Sequence, residues 1–512
     1  MRSQLNVLRP VEPHPADQAQ APRLRLTPAS SGMLVMLGGI FLWAVQPTLG
    51  PDLFRHLWVG GYIASHHQVP SSDFLSFTAV GHPWIDHQWL SELVMYGLYS
   101  LAGYWGPLVF FAAVTSATFG CVYAAMRQLR VYPFLGLFVV SVGALASSGS
   151  WGARPQMFTM LLSAVFVYLL VRYRRRRESR LLWLFPPLML VWANLHGGFA
   201  VGLALLTLSV AGEWLNRRLA SESNSSNDSL KPLAVITAIS FPVTLINPHG
   251  FHLLSYPLNF LTPNHFTNLI AESASPNFHT PLMMAFELLL LVLMTSIFVA
   301  RPKLDWVALL TILAFTHEAL AQSRNVPLWV VVIGPLVALY VQQAWRRFNH
   351  NPTRVGRRRG HSQVLLAILL AVAALTYGVE SSKLVSAQAL QRNLVSGYPV
   401  KAAAYLQSHR LPPNIFDSYN WGGYLIGALA PRYKVFIDGR ADSVYDNTIL
   451  RDYLTAYGAL PGWQSLLSRC RVQEVLVERT SPLSLALHAG RDWKLIFADR
   501  QAVLYSRRGS GR

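Results

Sequence analysis

The residues able to do chemistry gather around one short stretch. "GHPWIDHQWLSE", residues 81 to 92, sets His82, Asp86, His87 and Glu92 among Trp84 and Trp89, with Asp52, Arg55 and His56 upstream. A carboxylate near a cation stays ionised and can take a proton from a hydroxyl, while guanidinium groups hold phosphate oxygens. Asp52, Asp86 and Glu92 are therefore candidate bases. Arg55, His56, His87, Arg154 and Arg324 are candidate binding groups. Each has a plainer reading. Asp52 can cap a helix, Asp86 can shape a turn, and Glu92 can offset a helix dipole. Arg154 and Arg324 can bond helix-end carbonyls. The histidines invite a metal, yet their spacing matches no ligand motif. No cofactor is expected, a divalent metal being allowed by composition but unsupported by spacing.

What positions these residues is a membrane protein's framework. Of 512 residues, 52% are hydrophobic and 13% charged, about half the charge of an ordinary soluble domain. Eleven apolar runs are long enough to cross a bilayer as helices: 32–50, 107–126, 132–150, 156–173, 181–195, 198–215, 232–247, 281–300, 304–321, 326–344 and 363–379. With the N-terminus inside, the inner loops collect Arg127, Arg130, Arg172, Arg174 to Arg177, Arg217, Arg218, Arg346, Arg347 and Arg357 to Arg359. The opposite short loops hold only Arg55, Arg154 and Arg324. That asymmetry accounts for most of the +19 charge, so membrane lipids and not nucleic acid are the expected partners. The first run lacks a small-residue cleavage site and reads as an uncleaved anchor. Cys121 and Cys470 support neither a disulfide framework nor a zinc site.

Three regions follow. Residues 1–30 read as a disordered cytoplasmic tail, 31–379 as a polytopic domain with a first outer loop at 52–106, and 380–512 as an extracytoplasmic α/β domain. In the outer loop, "QWLSELVMYGLYSLAG" places Leu90, Leu93, Val94, Leu98 and Leu101 at helical spacing, an interfacial helix anchored by tryptophans. "SESNSSNDS" reads as a cytoplasmic linker. In the tail, "VFIDGRAD" predicts a strand over Val435, Phe436 and Ile437 that ends in a turn. "VQEVLVE" predicts another strand, and "WKLIFAD" with "AVLYS" a hairpin. Helical patterns lie at "VKAAAYLQSH", "YLIGALA" and "ILRDYLTAYGAL". Asp438 and Arg440 read either as ligand-binding groups or as a structural ion pair. Glu287, inside a span, is expected to be paired.

The acid after the first span, the elaborate first loop, "ARPQ" at 153–156 and the α/β tail resemble the C-type glycosyltransferase superfamily. The loop is similar to those of bacterial members related to protein mannosyltransferases and lipid A aminoarabinose transferases. The resemblance implies an α-helical polytopic membrane protein of the bacterial plasma membrane with a C-terminal extracytoplasmic α/β domain. It implies an inverting transferase that moves a hexosyl or pentosyl group from a polyprenyl-phosphate-linked donor to a lipid, glycan or protein acceptor. The Asp-Glu pair common in that superfamily is absent, since Leu53 follows Asp52. The residues fit the chemistry independently: a lipid phosphate leaves as an anion, needing one base for the acceptor and cations for the phosphate. A polysaccharide ligase or polymerase would place its chemistry in a later loop. A transporter or scaffold would show repeated halves and midplane charges.

Overall fold

The computed structural model describes residues 28–46, 48–219, 230–256, 271–348 and 386–508. The expected N-terminal tail up to residue 27, the linker at 221–229 and the eleventh span at 363–379 lie outside these residues. The polytopic part contains α1 (Pro28–Ala44), α2 (Pro51–His66), α3 (Trp89–Ala102), α4 (Trp105–Gln128), α5 (Pro133–Ser147), α6 (Gln156–Arg176), α7 (Phe185–Leu195), α8 (Phe199–Arg218), α9 (Leu230–Val243), α10 (Pro281–Ala300), α11 (Trp306–Ala321) and α12 (Val326–Phe348). Among the described residues, six helical segments are long and apolar enough to cross a membrane: α4, α5 with its 3₁₀ extension to Ser150, α6, α8, α10, and α12 with the short turn from Ser323.

Four expected spans appear as helices shorter than these six: 32–50, 181–195, 232–247 as α9 and 304–321 as α11. The run 32–50 becomes α1, ending at Ala44, so Asp52 sits on the separate helix α2 after a short turn. The run 181–195 divides into a 3₁₀ helix, Ser179–Leu184, and the 11-residue α7. Pro186 and Pro187 set the start of α7 because proline tolerates only the first helical turn. At about 1.5 Å per residue, α7 is shorter than a hydrocarbon core. Arginine-rich helix ends share one end of the bundle. There Arg174 bonds Glu213 at 2.8 Å and Asp305 at 2.9 Å, and Arg347 reaches the Ala300 carbonyl at 3.2 Å. The first loop lies at the other, here the upper end.

The tail carries α13 (Ala387–Gly397), α14 (Val400–Ser408), α15 (Tyr419–Leu429), α16 (Asn447–Tyr457), α17 (Trp463–Arg469) and α18 (Pro482–Ala489). Its strands are β1 (Asn414–Asp417), β2 (Lys434–Val435), β3 (Glu474–Glu478), β4 (Trp493–Ala498) and β5 (Ala502–Arg507). They form a mixed sheet in the order β2-β1-β3-β5-β4. Strand β3 and the β4–β5 hairpin fall where the apolar runs place them. The strand expected over 435–437 stops at Val435, because the Asp417 carboxylate takes the Phe436 N–H at 2.7 Å. Strand β1, central to the parallel part, carries too few apolar residues to stand out in the sequence.

Two seams bind the tail to the upper end. Leu75 and Phe77 of the first loop exchange backbone hydrogen bonds with Val435, extending the sheet past β2. Helix α15 lies directly on α2. A methyl group on Gly423 would lie 2.3 Å from the Pro51 carbonyl oxygen, and one on Gly427 would lie 2.7 Å from the Phe54 Cβ. Small residues one turn apart thus let two backbones touch. Beside them Phe54 meets Tyr398 and Tyr424 edge-on at 4.9 and 5.0 Å. Gly423→Leu is expected to pry this seam open at a cost of about 1–3 kcal/mol, seen as a lower melting temperature and faster protease cleavage of the tail. Unchanged melting and cleavage would show that the seam is not close-packed.

Candidate active site

Asp52 stands at the junction of these parts. Gly50 occupies the cap position of α2, with no side chain bonded to the helix end, so Asp52 does not cap it and instead lies in the first turn. The positive end of the helix dipole there favours an anion. Its side chain is 40% exposed, and Arg55 lies one turn on, with Nη2 3.8 Å from Asp52 Oδ1. The carboxylate rests against Gly439 of the tail, where an added methyl group would come 2.0 Å from Oδ1. Only glycine allows this approach.

Asp86 and Glu92 differ from Asp52 in access. Both are buried, and Glu92 is fully so. The α3 residues that face inward are Ser91, Glu92 and Met95, whereas Leu101 is 86% exposed. The expected helix is therefore present, with Ser91 and Glu92 turned into the protein. Glu92 Oε1 accepts from Arg55 Nη1 at 3.2 Å and lies 2.7 Å from His56 Nδ1. Burial, reinforced by the Asp86 charge, pushes the Glu92 carboxyl well above the usual range. Burial also raises Asp86 above its ordinary value. His56, by burial and then by Arg55, is held well below its ordinary value and stays neutral.

A second histidine group adjoins this pair, with His87 buried and His196 partly buried. His87 stacks on Tyr256 at 3.7 Å and meets His196 edge-on at 5.8 Å. His196 Nδ1 accepts the Gly198 N–H at 3.0 Å and the Thr159 hydroxyl at 2.9 Å, and Trp192 Nε1 donates to that same hydroxyl oxygen at 2.9 Å. Burial, then the Arg324 charge, pushes the His196 pKa down to about 4. Burial, then His196, lowers His87. Arg154 bonds Glu272 at 2.9 Å. Burial opposes its charge, but Glu272 and then Asp52 outweigh that effect and hold the guanidinium above its ordinary value. Ser323, beside Arg324, bonds the Glu272 carbonyl at 3.1 Å. The adjacent Arg55 and His56 thus meet the sequence-distant Arg154 and Arg324 at one end of the bundle.

His196, Glu272 and Gly439 belong to this neighbourhood but were not singled out as site residues in the sequence. The pair of glycines after His196 was a usable signal, since it marks a close backbone approach. Gly439 had no comparable signal. Asp438 and Arg440 form a structural pair: Arg440 is buried and bonds Asp438 and Asp73. Among the described residues, no three of His, Cys, Asp and Glu converge as metal ligands. Glu287 lies half-buried inside α10.

No protein-family model matches the chain, and no curated protein matches it in sequence. Solved structures do resemble it. The oligosaccharyltransferase of Archaeoglobus fulgidus, tethered to an acceptor peptide containing the NVT sequon, aligns at TM-score 0.55 and 12% identity, over 88% of this chain and 69% of that one. The arabinofuranosyltransferase AftD from mycobacteria aligns at TM-score 0.50 and 15% identity, over 93% of this chain and 41% of its own. The chain has a C-type glycosyltransferase-like fold. At these identities the likeness is one of fold, and the C-type layout accounts for an apolar bundle carrying a mixed α/β tail.

The histidines give this site an acid limit. A base with a lowered folded-state pKa stabilises the fold above its unfolded value near 6.5 and loses that contribution as pH falls through the folded value. For His196 the window runs from about 6.5 down to about 4 and amounts to roughly 3 kcal/mol at full titration. His196→Asn retains an acceptor that does not titrate. Its melting temperature should fall less than the parent's as pH is lowered through this window, and parallel curves would remove His196 from the acid response.

Proposed function

We propose that this chain is an integral membrane glycosyltransferase using a polyprenyl-phosphate-linked sugar, with Asp52 as the base. One observation carries the reading: a half-open carboxylate between a membrane bundle and a folded tail, with guanidinium groups beside it. An acceptor hydroxyl entering under the tail gives its proton to Asp52 as its oxygen attacks the anomeric carbon. The bond from that carbon to the phosphate oxygen breaks, its electron pair leaves with the polyprenyl phosphate, and the anomeric centre inverts. The leaving group is already anionic, so no second acid is needed.

Arg154 and Arg324 are proposed to hold the phosphate, Arg154 by exchanging Glu272 for it. Arg55, His56, His87, Asp86 and Glu92 are positioning residues in this reading. All five are buried, and Glu92 and His56 hold Arg55, which keeps Asp52 oriented. The charge asymmetry supports a plasma-membrane protein with its N-terminus in the cytoplasm and residues 380–512 outside. About eleven spans fit that orientation. A lipid, glycan or protein acceptor would then approach from the extracytoplasmic side.

Asp52→Asn keeps shape and hydrogen bonding but loses the basic oxygen. Transfer from a purified lipid-linked donor should fall roughly 10²–10⁴-fold while donor binding and expression stay near parental levels. Near-normal turnover would move the base elsewhere.

The ion pair of Arg154 is partly open to solvent, at 33% and 42% side-chain exposure, so losing it disturbs folding little. Arg154→Ala or Arg324→Ala should weaken donor binding about tenfold or more, since a charge-assisted contact contributes about 1.5–3 kcal/mol. Lysine should restore only part of that affinity because it lacks the guanidinium fork. Parental affinity in both alanine variants would place the phosphate away from these arginines.

A further inference from the structure

The far side of the tail carries a small cavity that the proposed transfer chemistry does not use. It encloses about 190 Å³ between the β4–β5 hairpin and helices α17 and α18. Trp493 and Arg507 stand directly opposite each other on the hairpin, so their side chains leave the same face together. Trp493 is almost fully buried and forms part of the wall. Trp463, only half-buried, supplies a second indole from the first position of α17. Around these rings lie Gln464, Ser468 and Asp492. Arg507 Nη2 donates to Ser468 Oγ at 2.8 Å, which fixes the guanidinium in place.

This combination has a definite chemical preference. Indole rings offer flat apolar surface, whereas a carboxylate, an amide and a guanidinium offer planar acceptors and donors around it. A sugar ring presents a matching pair of features: an apolar face of C–H groups and a rim of hydroxyls that each donate and accept. The volume is below the roughly 300–1,000 Å³ of pockets for drug-sized ligands, so a single ring fits better than a nucleotide. Asp492 and Arg507 balance in charge, which favours a neutral ring.

We propose that this cavity binds one neutral hexose unit of a glycan chain. It lies at the β4 edge of the sheet, whereas Gly439 and Asp52 lie beyond the β2 edge. Four strand spacings separate those edges, roughly 20 Å. The cavity is thus a secondary saccharide site, independent of the base, that would hold a distant part of a long glycan.

Saturation-transfer NMR on the full-length protein in detergent tests it, with the methyl glycosides of glucose, galactose and mannose as probes. At least one glycoside should receive saturation at its ring C–H protons. Trp463→Ala should weaken that binding about tenfold, and Trp463→Phe should keep most of it, because a smaller aromatic ring still stacks. Asp492→Ala, at an exposed position, should also weaken it. Asp52→Asn should leave it unchanged, so loss of transfer and loss of this site are read separately. The proposal is overturned if no glycoside is saturated, if Trp463→Ala and Asp492→Ala both bind like the parent, if Phe fails to restore binding, or if Asp52→Asn abolishes it.

Discussion

A single buried guanidinium holds the upper end together. Arg440 donates to Asp438 at 2.6 Å, to Asp73 of the first loop at 2.6 Å and to the Tyr445 hydroxyl oxygen at 3.1 Å, and lies 4.7 Å over the Trp84 ring. Taking a charge out of water costs several kcal/mol, and only good geometry with filled hydrogen bonds returns it. Here Asp73 is itself filled by the Leu75 and Ser76 backbone N–H groups. The network therefore tolerates only the arrangement in which loop and tail meet. Gly439, between Asp438 and Arg440, is carried by that arrangement onto Asp52.

Packing serves the same end. The α15–α2 seam works because Gly423 and Gly427 remove the side chains that would separate the helices. The Tyr398 hydroxyl donates to the Leu49 carbonyl at 2.6 Å, closing the gap between α1 and α2 from the tail side. An otherwise exposed amphipathic helix becomes the middle layer of a three-part contact. That fixes where its first turn, and hence Asp52, points.

Solvation separates the three carboxylates that the sequence offers as equals. Asp86 and Glu92 are enclosed, burial raises both carboxyls, and Glu92 lies against His56. Asp52 keeps water on one side. A group that must exchange protons with a substrate needs that access, whereas a group that must hold its neighbours still gains from losing it. The same low-dielectric surroundings keep His87 and His196 neutral.

The sequence by itself determined what depends on neighbours along the chain. The long apolar helices lie where the apolar runs are, because burying a continuous hydrophobic stretch is a local property of length and composition. Strand β3 and the β4–β5 hairpin were legible for the same reason, as runs of apolar and β-branched residues broken by turn residues. The end of β2 was not, since it depends on Asp417 from another strand. Nor could the sequence distinguish an open Asp52 from a closed Glu92, because water access is set by what folds over a residue. Only the tertiary structure decided that Gly439, nearly four hundred residues downstream, lies against Asp52: a contact that distant follows from the docking of whole elements and leaves no periodic trace in the chain.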